Sequence, residues 1–172
     1  MKPDVEADLH TFVEARYLHL RRTAYLLCGD WHRAEDLVQT ALARMVVAAR
    51  RRRIDSLDAY SRRVLLRVYL DDSQRGSRRR ERLSDELADR PVPPGDRAEA
   101  LTVLAALRTL PPRQRATIVL RYWEDRSVEE TAETLGVTEG TVKSQCAKGL
   151  AALRDVLAEA PQELMLNLGG IE

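Results

Sequence analysis

One run constrains this chain more than any other: Leu110-Pro-Pro-Arg-Gln-Arg through Gly149-Leu150. Pro111 and Pro112 suit the first turn of a helix, where backbone N–H groups have no intrahelical partner. Ser127 is placed to cap the next helix, and Glu130 three residues on completes a capping box. Gly136 supplies the left-handed residue that ends that helix, and Thr138 caps a third. At roughly 100° per residue, Val142, Cys146, Gly149, Leu150 and Leu153 share one face of the third helix. Lys143, Ser144, Ala147 and Lys148 share the opposite one. The run reads as a support helix followed by a helix-turn-helix. Its last helix has an apolar back and a small, polar, basic front, which suits a DNA major groove. A bundle helix with solvated lysines is the plainer reading of the same pattern.

The remaining sequence is consistent with an all-α chain. Glycine is sparse, charged residues reach 32%, and no useful stretch alternates with period two. The net charge of +1 does not announce nucleic acid, but its distribution does. From Arg50 to Arg82, twelve arginines face five acids, a local excess of seven positive charges. Such a patch fits a phosphate backbone; a solubilising charge run is the alternative. Cys28 and Cys146 lack the spacing of a zinc site and are expected to be reduced core residues. No signal peptide or membrane-spanning run is expected from the polar start and short apolar runs.

Three helices are expected before residue 82. The first runs from about Val5 to Cys28 and buries Val13, Tyr17, Leu20, Ala24 and Leu27. Gly29-Asp30 breaks it. The second runs to Ala49 and buries Leu37, Val38, Ala41, Leu42 and Met45. Asp36, Gln39, Thr40 and Ala43 lie on its other side. An arginine-rich loop, Arg50 to Asp58, leads to a third helix ending near Gln74. Residues 83–96 are acidic and proline-rich, the composition of a linker. A helical segment from Ala98 to Thr109 then precedes the helix-turn-helix. The expected organisation is two small helical domains, 5–82 and 97–158, joined by a flexible linker, with a tail at 159–172.

Three motifs, in order, carry a family resemblance: Ala34-Glu-Asp-Leu-Val-Gln, Asp58-Ala-Tyr-Ser-Arg-Arg-Val-Leu-Leu-Arg-Val-Tyr-Leu, and the run from Leu110 to Ser144. Together they resemble the extracytoplasmic-function (ECF) sigma factors of bacterial RNA polymerase, in particular the short actinobacterial SigE subgroup. The resemblance spans about Val5 to Leu157. It implies a promoter-specificity subunit that helps open DNA at the −10 element. Its partners would be promoter DNA, the β′ clamp helices and β flap of core polymerase, and an anti-sigma factor. It implies a cytoplasmic, nucleoid-associated protein with no cofactor.

By the same resemblance, Asp36, Gln39 and Thr40 face the clamp helices; the family often has Glu where Thr40 stands. Arg62, Arg63, Arg67 and Asp71 fall on the −10 helix, with Arg62 and Arg63 as phosphate contacts. Many relatives read Val-Asn where this chain has Leu66-Arg67, so Arg67 is expected to favour a base with acceptors or to grip a phosphate. In the −35 domain the positions are Arg121, Gly140, Thr141, Lys143, Ser144, Ala147 and Lys148. Gly140 admits a close phosphate, Lys143 is placed for a guanine edge, and Arg121 and Lys148 for phosphates. The linker is implied to thread toward the RNA exit path.

Two rival classes fit the sequence less well. A helix-turn-helix regulator would bind duplex operator DNA without polymerase, which leaves the polar stripe on the second helix unexplained. A small nucleic-acid hydrolase needs clustered metal-binding carboxylates, and Asp71-Asp72 sits among arginines. No catalytic set is recognisable, so the chain is expected not to be an enzyme.

Overall fold

The computed structural model describes residues 3–82 and 98–158. The expected linker at 83–96 and tail at 159–172 lie outside these. Seven α-helices follow in order: α1 Pro3–Cys28, α2 Trp31–Arg51, α3 Leu57–Arg82, α4 Ala98–Thr109, α5 Pro112–Ile118, α6 Val128–Leu135 and α7 Glu139–Ala158. A π-helical turn, Val119–Trp123, continues α5. The described residues contain no strand, as the sequence pattern requires.

Helix ends follow local chemistry. Gly29 takes φ +72°, ending α1, and Asp30 caps α2 by accepting from the Arg33 N–H at 2.8 Å. Helix α2 runs two residues past the expected end and takes in Arg50 and Arg51. Cations in a last turn favour the helix dipole. Helix α3 runs eight residues past Gln74. Arginine is a good helix former even without an apolar face, and the charge run hid this continuation.

The N-terminal core forms where α1, α2 and α3 meet. Leu27, Val38, Met45, Leu65, Leu66 and Tyr69 are all fully buried there. Each large apolar side chain removed from water contributes about 1.5–3 kcal/mol. A smaller cluster packs α7 onto α4 and α5: Leu107, Leu110 and Ile118, with Cys146, Leu150 and Leu153 of α7. Gly149 matters here. A Cβ at that position would meet Ile118 Cγ1 at 3.0 Å, so glycine lets α7 lie close on α5.

The two halves are not separate in packing. Ala116, Val119 and Leu120 belong to the same buried cluster as the α1–α3 residues, and Leu26 of α1 reaches the smaller cluster. Two helical units are present as expected; their joint core was not.

Candidate nucleic-acid interface

Helix α6 begins as the sequence specifies. The Ser127 hydroxyl accepts from the Glu130 N–H at 3.0 Å, and the Glu130 carboxylate accepts from the Ser127 N–H at 2.8 Å. That backbone hydrogen bond holds the Glu130 carboxyl below its usual range, aided by Arg126. Gly136 closes the helix at φ +65°. Ser127→Ala is expected to cost about 0.5–2 kcal/mol, read from the thermal unfolding midpoint.

Thr138 starts α7 by accepting from the Thr141 N–H at 3.2 Å, with the two hydroxyls 2.9 Å apart. Val142 and Gly149 are buried beneath the helix. Gly140, Thr141, Lys143, Ser144, Ala147 and Lys148 are all exposed. A Cβ at Gly140 would meet nothing closer than Thr138 Oγ1 at 3.8 Å, so no contact within the chain demands glycine there.

Arg121 is placed differently from the outward phosphate contact expected of it. It is half-buried, donates to the Arg126 carbonyl, and lies beside the Cys146 thiol. It ties the π-turn to the loop before α6 and to the back of α7. Burial pushes the Cys146 thiol up, and Arg121 works against that.

On α3 the four expected residues separate. Arg62 is buried and pairs with Asp58, which also binds Arg16 at 2.7 Å. Burial works to raise the Asp58 pKa, but the Arg62 and Arg16 guanidiniums carry it below the usual carboxylate value. The outward phosphate role for Arg62 is therefore corrected: its side chain faces the core edge. Arg63 and Arg67 are exposed and line a groove of about 520 Å³ between α3 and α6. Arg63 donates to Glu133 of α6 at 3.0 Å. Asp71 lines the same groove and pairs with Arg44 at 3.5 Å, while Asp72 binds Arg33 at 2.6 Å. Each member of the adjacent carboxylate pair thus has its own arginine. Arg78 and Arg79 extend exposed beyond the groove.

On α2, Asp36, Gln39 and Thr40 are exposed above buried Leu37, Val38 and Ala41. Val47, 47% exposed, lies on the same stripe two turns on; the sequence reading passed over it. A second group was missed because its members lie about a hundred residues apart: His19, Thr23, Trp123 and Glu124 meet where α1 contacts the π-turn.

Residues 12–80 match the family described as sigma-70 region 2, and residues 100–153 match sigma-70, region 4. The chain is 36% identical over 155 residues to an RNA polymerase sigma-E factor of Streptomyces coelicolor, covering 87% of this chain and 86% of that protein. It is 35% identical over 150 residues to the ECF RNA polymerase sigma factor SigE of Mycolicibacterium smegmatis, covering 83% of this chain and 58% of the relative. Among solved structures, the fold is similar to the sigma factor RpoE of Bartonella quintana, solved with the anti-sigma factor NepR. The TM-score is 0.73 at 22% identity, over 90% of this chain and 99% of that one.

Proposed function

Because the chain belongs to the extracytoplasmic-function sigma factors of bacterial RNA polymerase, we propose that its exposed faces divide the work of promoter selection. A sigma factor directs core polymerase to promoter DNA. Here the α2 stripe of Asp36, Gln39 and Thr40, extended by Val47, docks core polymerase. Arg63 and Arg67 on α3 face the opened −10 strand. Lys143 and Ser144 on α7 read the −35 element, Lys148 holds a phosphate, and Ala147 lies against the base edges. Gly140 and Thr141 bring the start of α7 close to the phosphate backbone. The units that carry these roles run over 5–82 and 97–158. The chain adds recognition and no chemistry of its own, works in the cytoplasm on the nucleoid, and takes an anti-sigma factor as a further partner.

The observation that carries this reading is the outward set on α7 above buried Val142 and Gly149. A wholly exposed polar, basic front over a packed apolar back suits a helix laid in a major groove. Glycine at position 140, exposed and with nothing in the chain closer to an added Cβ than Thr138 Oγ1 at 3.8 Å, adds to that reading.

The docking face is tested by a double substitution. Asp36→Ala with Gln39→Ala is expected to weaken binding to core polymerase about tenfold, the size of losing one interfacial hydrogen bond to a charged group, with helical content unchanged. Titration of labelled protein into core polymerase reads this; an unchanged affinity would remove α2 as the docking face.

A further inference from the structure

The contact between the two halves centres on a buried carboxylate. Glu124 is 5% exposed; its Oε1 accepts from the Thr23 hydroxyl at 2.6 Å and lies 2.8 Å from His19 Nε2. The Trp123 indole N–H donates to Thr23 Oγ1 at 2.9 Å, and its ring stacks on His19. A buried carboxylate is costly unless its hydrogen bonds are made, and these partners come from α1, across the junction. The π-turn sets the direction: the Glu124 N–H bonds back to the Val119 carbonyl, one residue further than in an α-helix, and turns this side chain toward α1. Arg115 fastens a second point. Its guanidinium donates to the Leu27 carbonyl at the end of α1 and to the Arg108 and Leu110 carbonyls at the end of α4, at 2.6 to 3.0 Å.

Closure masks the exposed faces unequally. The α2 stripe and the front of α7 stay open. Helix α6 instead lies along α3, and the Glu133 carboxylate sits on Arg63. We propose that this is a self-masked state, in which α6 of the C-terminal half lies against α3 at Arg63, with Arg67 left exposed along the groove, and so narrows the path of single-stranded promoter DNA. Glu133 stands in for a phosphate on Arg63, and the Glu124–Thr23–His19 contact is the latch. The masking rests on the assignment of α3 to the −10 strand; the latch does not.

The test uses the full chain in a Trp31→Phe background, leaving Trp123 as the remaining one of two tryptophans. Thr23→Val removes the shared hydroxyl at nearly constant shape. It is expected to shift Trp123 emission to the red and enlarge the radius of gyration by X-ray scattering. It is also expected to tighten binding to a fluorescein-labelled mixed-sequence single-stranded decanucleotide about tenfold, the scale of a lost hydrogen bond to a charged group. Glu133→Gln and His19→Gln, nearer the surface, are expected to raise probe affinity severalfold with helicity intact, and they decide the matter should Thr23→Val not fold. Unchanged emission and radius in Thr23→Val and His19→Gln would overturn the latch. Opening without a gain in probe affinity would overturn the masking. A gain that persists unaltered after Arg67→Ala would show that the probe binds elsewhere than α3, overturning the masking and the −10 assignment together while leaving the latch standing.

Discussion

Leu120→Ala is expected to destabilise the chain by about 2–5 kcal/mol, the range for emptying a well-packed leucine site. Leu120 is fully buried, and its cluster is built mainly from α1, α2 and α3 although it belongs to the C-terminal half. The loss should therefore be felt in both halves. In a Trp123→Phe background, Trp31 at the start of α2 reports the N-terminal helices. Its urea transition is expected to move to lower denaturant along with the helical signal. If the Trp31 transition stayed in place while part of the helical signal melted early, the two halves would not share a core.

The second large effect is on promoter discrimination. A well-placed base contact is worth roughly 1–3 kcal/mol against the wrong base, and lysine, a single point charge, is expected near the lower end. Lys143→Ala should flatten preference at one or two −35 positions. Lys148→Ala should weaken binding to every sequence alike and reduce the salt dependence by about one counterion. Binding of holoenzyme to a set of single-base −35 variants, repeated at several salt concentrations, separates the two. An equal, sequence-independent loss in both variants would contradict the division into base and phosphate contacts.

What the sequence made legible here is what is local. The Ser127–Glu130 box, the left-handed Gly136 and the Thr138 cap each depend on residues within four positions, and all are present. The α7 faces followed from one helical period. Arg62 shows how a legible signal was overruled by a charge run. It precedes Leu65, Leu66 and Tyr69 by three, four and seven residues, the spacing of one helix face, and all three are buried with it. The Glu124 contact had no such signal. His19 and Thr23 are unremarkable in α1, as is Glu124 at the end of the π-turn, and their meeting depends on how two amphipathic bodies pack, which no local period encodes. For Arg121 the resemblance implies a phosphate contact; its side chain instead donates to the Arg126 carbonyl in the loop before α6, a turn that no helical period describes.

Promoter specificity is what this chain confers on core polymerase. Its most direct test is transcription in vitro with purified core polymerase, full-length protein and a library of randomised −35 and −10 elements at fixed spacing, sequencing the transcripts made. Transcripts are expected only with both proteins present, enriched for one −35 and one −10 sequence. The −35 enrichment is expected to relax with Lys143→Ala, and output to fall with Asp36→Ala/Gln39→Ala. No specific transcripts, with tight sequence-selective binding to duplex DNA in the absence of polymerase, would contradict it.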